Sequence, residues 1–523
     1  MNLHTIDIVI FFAYVLGLLF LALYISREEK GHERNTKDYF LASKALPWWA
    51  IGASLIASNI SAEQIIGMSG SGYVLGLAIA SYEWMAALTL LIVGKYFLPI
   101  FLKNEIYTMP QYLEQRFDNR VRTIMAVFWL AVYVFVNLTA VLWLGGLAIN
   151  TIAGVDIVYG MIFLGLFSIA YSLYGGLKAV AYTDIIQVVL LVFGGLVLTY
   201  ISLDLVSDGN GLIAGFSILT EQMPEKFDMI FSADSPHYAN LPGLSVLVGG
   251  LWVMNLSYWG FNQYIIQRAL AAKDLKEAQK GIAFAAYLKL LVPFFVVIPG
   301  IAAAVLFADL PRPDAAYPSL MNLMPIGLKG LVFAALVAAI VSSLASMCNS
   351  VSTIFTMDIY AQFKKDKSQT HYVTVGRIVS FVALIIAMIC ARPLLGQFDQ
   401  AFQYIQEFTG FFTPGIVVIF LLGMFWKSMN ANGALTAAVG SAVLSLSCKF
   451  MLPSIPFMDR VGIVFLLCLG LAIIVSKVTQ QATTAEHNQS VSLDDVSFKT
   501  SGSFNILAGA VIIILIAFYA AWW

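Results

Sequence analysis

A cluster of hydrogen-bonding side chains lies in the middle of an otherwise apolar stretch, residues 46–75. Asn59, Ser61, Glu63 and Gln64 fall within six residues, between the apolar runs 46–56 and 65–73. Such groups can bind a cation or the hydroxyls of a ligand, but in hydrocarbon they are unfavourable unless they face a cavity or a partner. The cluster therefore predicts a membrane helix that is broken in its middle, and broken helices of this kind mark substrate and ion sites.

A second stretch repeats this pattern. The apolar run that begins at Leu244 meets the polar stretch 255–263, which contains Asn255, Asn262 and Gln263. A different interpretation of the first stretch is a helix-packing motif of small residues, 67–72, whose polar neighbours bond to adjacent helices. Two broken helices favour a binding site where the breaks meet over packing alone.

Composition excludes most other classes of protein. The chain has 523 residues, of which 60% are hydrophobic and 11% charged, and its mean hydropathy is +0.84. Soluble domains carry about 25% charged residues. The sequence therefore predicts an all-α polytopic membrane protein, in contact with the lipid bilayer. The net charge of −1 gives no reason to expect a nucleic-acid partner.

Other functional classes have little support in the sequence. The five histidines are scattered, and the four cysteines lie in apolar segments where they resemble small core residues. Neither a His-Glu-x-x-His run nor a Gly-x-Ser-x-Gly run of the hydrolase kind occurs in a soluble strand-to-helix context, so we do not expect an enzyme. Residues 1–7 lack the basic residues of a cleaved signal peptide, so the first apolar run is expected to remain as a span.

Fourteen segments meet the requirement of about 20 apolar residues per spanning helix. Their predicted bounds are 6–26, 46–75, 77–101, 121–150, 156–175, 182–204, 242–267, 280–308, 325–357, 372–394, 398–427, 430–452, 459–477 and 503–523.

Lysine and arginine predict the orientation of these spans, because cytoplasmic loops are enriched in them. Basic residues collect in the loops 27–44, 103–122, 268–280 and 364–367, whereas the loop 204–241 contains six acidic residues and one lysine. The basic loops are therefore expected inside the cell and both termini outside, in the cell (inner) membrane. The polar stretch 478–502 is predicted to be a cytoplasmic linker that need not fold.

The spacing of the two breaks predicts an internal repeat. The broken segments are the second and the seventh, and this odd offset of five inverts the second block of helices relative to the first. We divide the chain into an extra N-terminal helix and loop (1–45), a first inverted repeat (46–204), an outer loop (205–241), a second inverted repeat (242–427) and three C-terminal helices (428–523).

Several runs of residues are long or unusual enough to compare with known families. They are 38–42 (DYFLA), 59–64 (NISAEQ), 81–84 (SYEW), 174–176 (YGG), 258–263 (YWGFNQ), 267–268 (QR), 339–343 (AIVSS) and 402–407 (FQYIQE). These runs resemble the sodium:solute symporter family, and the likeness covers nearly the whole chain. The resemblance implies a core of ten helices like that of the amino-acid transporter LeuT, with one extra helix before it and three after it.

The resemblance also implies a sodium site. It would be formed by the backbone carbonyls of Ala57, Ile60 and Ala339 and the hydroxyls of Ser342 and Ser343. Neutral oxygen ligands suit a hard cation. Taken without the resemblance, the two serines on an apolar helix would more often bond back to their own backbone.

A sugar site is implied in the same way. Its members would be Asn59, Gln64, Glu83, Asn255, Lys289 and Gln406. Together these side chains offer both donors and acceptors, as a pyranose ring requires. For Glu83 and Lys289 a structural ion pair within the membrane is the other interpretation.

The family pattern further implies gates around the sugar. Tyr258 would stack below the ring on the inner side, and Met68, Tyr82 and Phe402 would form an outer lid, although aromatic and methionine residues at helical spacing are usually plain core. The family has a serine where this chain has Ala86, so the resemblance does not fix the preferred hexose.

The expected function is a sodium-coupled symporter for a glucose- or galactose-type hexose that works by alternating access. A symporter of the same family for another solute, such as inositol, sialic acid or proline, is an alternative. A solute sensor of the same fold is a further alternative, although we expect no fused signalling domain after Trp523.

The predicted orientation can be tested by cysteine labelling in intact cells. In a background without other reactive cysteines, Ser235→Cys should react with a membrane-impermeant thiol reagent, because the loop 204–241 is expected outside. Lys276→Cys should react only after the cells are made permeable. Labelling of position 276 but not of position 235 in intact cells would invert the topology.

Overall fold

A computed structural model of the chain describes residues 3–25, 46–106, 108–174, 177–365, 367–396, 400–479, 493 and 496–523. Within these ranges every regular element is a helix, and β-type pairing is limited to one isolated bridge between Leu46 and Ala272. The predicted all-α class is confirmed. The predicted basic loop 27–44, the run 38–42 and residues 480–492 of the predicted linker lie outside the described residues.

Twenty-four α-helices are present in the described ranges. They are α1 Thr5–Ile25, α2 Trp48–Asn59, α3 Met68–Leu75, α4 Ser81–Ile92, α5 Leu98–Lys103, α6 Met109–Arg116, α7 Asn119–Val132, α8 Thr139–Ala153, α9 Ile157–Tyr174, α10 Leu177–Val206, α11 Gly211–Gln222, α12 Ser245–Val248, α13 Gly250–Leu256, α14 Gln263–Leu270, α15 Leu275–Leu306, α16 Ala316–Met321, α17 Leu328–Thr353, α18 Ala361–Phe363, α19 Gln369–Leu395, α20 Ala401–Thr409, α21 Thr413–Phe425, α22 Ala431–Met451, α23 Phe457–Val478 and α24 Gly502–Ala521.

Wider and tighter turns join several of these helices. The π-helical turns are Glu63–Gly67, Val93–Phe97, Tyr133–Leu138, Ser257–Phe261 and Ile354–Tyr360, and the 3₁₀ turns are Gly76–Ala80, Pro224–Lys226 and Pro313–Ala315. Helices thus occupy each of the predicted spans, with ends shifted by a few residues.

The number of membrane crossings differs from the prediction. In the described ranges nine helical stretches are long and apolar enough to cross a membrane, or ten if the bent pair α20 and α21 forms one crossing. Residues 63–103 count as one continuous stretch, although the sequence predicts the end of one span and the whole of another there. The fold is therefore that of a multi-helix membrane protein, and the count of fourteen spans is not confirmed.

The first predicted break is present. α2 ends at Asn59, and the backbone of Ile60 leaves the helical region with φ −72° and ψ 83°. The amide of Ser61 would donate to the carbonyl of Ala57 in an unbroken helix, but it donates to the carbonyl of Asn59 at 2.8 Å. The Ala57 carbonyl thus loses its helical partner, which is what an exposed cation ligand in a broken helix requires.

The second break is shorter than the polar stretch in which it lies. α13 continues through the π-helical turn Ser257–Phe261, and the backbone is extended only at Asn262, with φ −84° and ψ 121°. The predicted break therefore lies at Asn262, within the polar stretch 255–263, and residues 255–261 remain helical. A π turn keeps backbone groups bonded while it displaces side chains, and polar composition alone does not distinguish it from a break.

Two long helices organise the bundle. α15 packs against α2, α3, α4 and α10, and α17 packs against α1, α2, α9, α10 and α19. The start of α17 is fixed by Asp7 of α1, whose carboxylate accepts bonds from the amides of Gly327 at 2.7 Å and Gly330 at 3.0 Å. A carboxylate stabilises free amides at a helix N-terminus, so α1 is attached to the helix that contains Ser342 and Ser343.

The C-terminal end of α3 is held by a loop. The Nζ of Lys226 donates to the carbonyls of Tyr73 at 2.9 Å and Val74 at 3.0 Å. Gly76 then turns the chain with φ 77° and ψ −151°, and a Cβ at this position would lie 2.2 Å from the carbonyl oxygen of Lys226. Both the conformation and the contact require glycine.

Gly76→Ala should therefore destabilise the protein. A non-glycine residue in this backbone region costs about 1–3 kcal/mol, and the contact with the Lys226 backbone adds to that loss. Thermal unfolding of the protein in detergent measures the effect. Gly209→Ala, which also has a positive φ but open space around it, should lose less. Equal melting temperatures for Gly76→Ala and the wild type would contradict the strain argument.

Candidate functional site

The two broken helices meet through their polar residues. The side-chain amide of Asn59, at the end of α2, donates to the hydroxyl of Tyr258 in the second broken helix at 3.0 Å. That hydroxyl lies 2.7 Å from the hydroxyl of Tyr264, at the start of α14. Asn59 and Tyr258 are 199 positions apart in the chain. Their contact brings the two broken helices together, as the sequence pattern predicts.

A cavity of about 70 Å³ lies at this meeting point. It is lined by eight of the ten residues predicted as sugar contacts or gates: Asn59, Gln64, Tyr82, Glu83, Asn255, Tyr258, Phe402 and Gln406. Glu63 and Ala86 also line it. Lys289 is not among the lining residues but bonds to two of them, and Met68 is fully buried outside the cavity wall.

Lys289 is the centre of the polar network at the cavity. Its Nζ is 2.5 Å from Oε2 of Glu83, donates also to Oδ1 of Asn59, and lies 4.9 Å from the ring centre of Trp259. Glu83 and Lys289 therefore form the intramembrane ion pair that was one of the two interpretations. Because the ammonium is fully buried, its charge requires all of these partners.

Other polar atoms in the cavity have no such partners. Oε1 of Gln64 and the hydroxyl of Tyr82 are buried without a hydrogen-bond partner among the described residues. Oδ1 of Asn137 and Oγ1 of Thr409 are in the same condition, and both residues line the cavity. Buried polar atoms are normally bonded, so these four atoms are available to form hydrogen bonds with a polar ligand.

Asn137 and Thr409 were not among the sequence-predicted residues. Asn137 interrupts the apolar run 121–150, and this was a signal that could have identified it, since a lone amide in hydrocarbon needs a partner. Thr409 gives no comparable signal, because threonine in a helix usually bonds to its own backbone.

The size of the cavity indicates a contracted arrangement. A volume of 70 Å³ corresponds to a few water molecules, since one water occupies about 30 Å³ of liquid. Pockets for small ligands measure about 300–1,000 Å³. The rings of Tyr82 and Phe402 meet edge to face at 5.1 Å, and Phe402 is fully buried. A ring-shaped ligand would have to separate walls that now bond to each other.

Glu407 points away from the cavity, although its neighbour Gln406 lines it. Oε1 of Glu407 is 3.1 Å from the Nζ of Lys449 and 3.2 Å from the guanidinium of Arg460. These cations belong to α22 and α23. Glu407 therefore attaches the bent helix α20 to two C-terminal helices.

The residues predicted to bind sodium lie where α2 packs against α17. Ile60 lies at the break, and α17 is unbroken at Ala339, whose carbonyl keeps a second lone pair for a ligand. Ser342 donates to Oδ1 of Asp184 at 2.6 Å, so its own lone pairs stay available. The hydroxyl of Ser343 is buried and has no partner among the described residues. A set of neutral oxygens of this kind fits sodium.

A second buried ion pair adjoins this set and was missed in the sequence. Asp184 of α10 accepts from Ser54 of α2 at 3.0 Å, and its Oδ2 is 3.7 Å from the guanidinium of Arg268. Arg268 donates in turn to Ser54 at 3.0 Å and to Ser346 of α17 at 3.1 Å. One carboxylate and one guanidinium thus join the two helices that carry the predicted sodium ligands.

Comparisons with known proteins identify the family. The model of the sodium:solute symporter family matches residues 39–440. The chain is 52% identical over 540 residues to the sodium/glucose cotransporter of Vibrio parahaemolyticus, covering 100% of this chain and 99% of that one. It is 35% identical over 476 residues to the sodium/myo-inositol cotransporter 2 of Mus musculus, covering 85% of this chain and 70% of the relative.

A solved structure supports the same assignment. A Na⁺-coupled sialic acid symporter in a substrate-bound, outward-open state aligns with a TM-score of 0.79 and 25% identity, covering 91% of this chain and 98% of that one. The family model spans both broken helices and the residues that line the cavity, and the Vibrio relative aligns with the whole chain. The chain therefore belongs to the sodium:solute symporter family.

Proposed function

We propose that the protein is a sodium-coupled symporter that takes up a glucose- or galactose-type hexose by alternating access. The observation that carries this proposal is the cavity between the broken helices, where donors and acceptors converge and several buried polar atoms have no partner among the described residues. The full-length relative at 52% identity is a sodium/glucose cotransporter, which supports hexose as the substrate class.

The sugar would bind by exchanging hydrogen bonds with the present network. Asn59 accepts from Lys289 and donates to Tyr258, so sugar hydroxyls must replace some of those bonds as the walls separate. Gln64 and Gln406 add an amide donor and acceptor each. Such an exchange keeps the buried charges paired at every stage, which matters because an unpaired buried charge is strongly unfavourable.

The sodium ion would lie between α2 and α17. Its ligands in this proposal are the carbonyls of Ala57, Ile60 and Ala339 and the hydroxyls of Ser342 and Ser343, which supply no fixed charge. Sodium bound there would connect the break in α2 to the unbroken helix α17. Since Asn59 lies one residue before Ile60, the same unwound segment would contribute to both sites.

A single sodium ion provides enough energy for useful accumulation. One charge that moves down about 100 mV releases about 2.3 kcal/mol. A tenfold sodium gradient adds about 1.4 kcal/mol, and together these allow roughly several-hundred-fold accumulation of the sugar.

The finer architecture forms part of the proposal. We infer fourteen spans, with two inverted repeats over 46–204 and 242–427 that resemble the core of LeuT, and three C-terminal helices within 428–523. Both termini would face the outside of the inner membrane. Tyr258 would close the inner side of the sugar site, and Met68, Tyr82 and Phe402 the outer side.

A second candidate is a sodium-coupled symporter for a polyol. It is favoured by the 35% identity to a sodium/myo-inositol cotransporter, and a ring of hydroxyls would use the same donors and acceptors. Ala86 lines the cavity without a hydroxyl, so it cannot give a hexose the hydrogen bond that a serine at this position would provide.

Uptake by the purified protein in liposomes tests the function. Labelled glucose, galactose, myo-inositol, sialic acid and proline are supplied with and without an inward sodium gradient. We expect hexose accumulation that requires the gradient and disappears in potassium buffer. Sodium-driven uptake of another solute without any hexose uptake would replace this proposal with the second candidate or another family substrate.

Gln406→Ala should weaken hexose binding by about 1–3 kcal/mol, because the sugar loses a buried hydrogen-bonding partner. Equilibrium binding at saturating sodium measures this loss. Gln403→Ala is a matched control, because Gln403 lies on the same helix with a buried amide but does not line the cavity. Hexose affinity that stays near normal in Gln406→Ala would remove that residue from the site.

Ser343→Ala should abolish or greatly weaken sodium-driven accumulation, since the ion loses a ligand while the sugar contacts stay intact. The coupling between the sodium site and the sugar site is reciprocal, so a variant that binds sodium more weakly should also show a smaller increase in sugar affinity when sodium is added. Uptake measured against sodium concentration should show a higher half-saturating concentration.

The matched control is Ser350→Ala, which removes another buried hydroxyl without a described partner two turns further along α17. It should leave the sodium dependence unchanged. A plain packing role for Ser343 predicts a stability change below about 1 kcal/mol and the wild-type half-saturating concentration, and this result would withdraw the sodium assignment.

A further inference from the structure

The C-terminal helix α24 lies against the two helices that supply the ion pair at the cavity. It packs on α4, which contains Glu83, and on α15, which contains Lys289. The opposite side of α24 is exposed at residues such as Ile513 and Ile516. The helix therefore has one face toward α4 and α15 and one face available to lipid.

Aromatic rings form the contact at the level of the ion pair. Phe518 of α24 stacks on Trp84 with ring centres 4.7 Å apart and 28° between the planes. It also meets the ring of Phe294 of α15 at 5.6 Å. Phe518 thus lies between α4 and α15, and rigid rings maintain a separation better than flexible chains do.

Hydrogen bonds accompany the rings. The hydroxyl of Tyr519 lies 3.0 Å from Oγ of Ser81. The indole nitrogen of Trp84 donates to the carbonyl of Leu290 at 3.4 Å. Ser81 and Trp84 flank Glu83 on α4, and Leu290 follows Lys289 on α15. α24 therefore contacts α4 at Ser81 and Trp84, on either side of Glu83, and Trp84 in turn bonds to the residue that follows Lys289.

The ion pair depends on this spacing. Glu83 and Lys289 are withdrawn from water, and a buried pair is favourable only with good geometry and further bonds. A small shift of α4 along or away from α15 would lengthen the 2.5 Å contact. It would also move Tyr82 and Glu83, which line the cavity.

We propose that α24 positions the sugar site. Tyr519 is the positioning residue: its hydrogen bond to Ser81 fixes the axial position of α4 relative to α15. The sequence predicts only a final span for this helix. The proposal rests on the proposed hexose transport, since sugar affinity is the property that Tyr519 would control.

Tyr519→Phe tests the role, because it removes only the hydroxyl and retains the ring, whose centre lies 5.9 Å from that of Trp84. Binding of tritiated glucose and tritiated galactose is measured at saturating sodium on the purified full-length protein. We expect a rise of about two- to tenfold in the sugar Kd, as the loss of one hydrogen bond to a positioned helix would produce. Sodium binding without sugar, followed by thermal shift, should stay at the wild-type value.

Tyr287→Phe is the matched control. Tyr287 of α15 also bonds to α24, donating to the carbonyl of Leu507 at 3.0 Å. It lies two residues before Lys289, but its bond is at the other end of α24 and does not involve Ser81 or α4. The same chemical change there should leave the sugar Kd within about twofold of the wild type. Equal effects of the two variants on the sugar Kd would show that any bond between α24 and the bundle has the same influence, and this would overturn the proposal.

A double-mutant cycle separates positioning from general destabilisation. If Tyr519 acts through Ser81, the variant Ser81→Ala with Tyr519→Phe should bind sugar as weakly as Ser81→Ala alone. Additive losses, or parallel losses of sodium and sugar binding, would contradict the mechanism. A wild-type protein that binds neither hexose would instead refute the proposed function, whereas hexose binding unaffected by Tyr519→Phe would refute this inference alone.

Discussion

Charge that is buried in a hydrophobic bundle must be paired, and two such pairs fix the arrangement of this protein. Lys289 with Glu83, and Arg268 with Asp184, are almost completely withdrawn from solvent. Removing one member of such a pair typically costs about 3–5 kcal/mol, because the other charge stays buried without compensation. The four side chains come from α15, α4, α14 and α10, so the positions of these helices are constrained together.

The two ion pairs share a helix and a tyrosine. α2 reaches Asp184 and Arg268 through Ser54, and it reaches Lys289 through Asn59 at its broken end. Tyr264 bonds to Tyr258 through its hydroxyl and accepts from Arg268 through its carbonyl. A displacement of the end of α2 would therefore disturb both networks. This shared helix gives a physical route by which occupancy of a cation site beside Ser342 and a sugar site beside Asn59 could affect each other.

The sequence predicts the helices well because a membrane span is a local property. Apolar runs identify the helical segments, and the cluster Asn59–Gln64 identifies the first break. The sequence does not predict which residues of different helices bond to each other. Asp184 and Arg268 lie in separate apolar spans, and nothing in either span indicates the other residue. Glu407 is a similar case. It follows Gln406 in the chain, but its carboxylate pairs with Lys449 and Arg460 and so points away from the cavity. The polar stretch 255–263 contains the second break but does not fix its position at Asn262, because a π-helical turn has no compositional signature.

These π-helical turns have a consequence for how such a scaffold can change. Three of them, Glu63–Gly67, Tyr133–Leu138 and Ser257–Phe261, include residues that line the cavity. A π turn contains one residue more than an α turn, and each residue of an α-helix turns the chain by about 100°. A π turn absorbs within itself one residue that would otherwise rotate every later side chain of the helix by this angle, so removing that residue would restore ordinary pitch and leave the later side chains in place. Single-residue insertions and deletions, absorbed within one turn, are therefore a route by which new side chains could be brought to face the cavity while the remainder of the bundle stays in place.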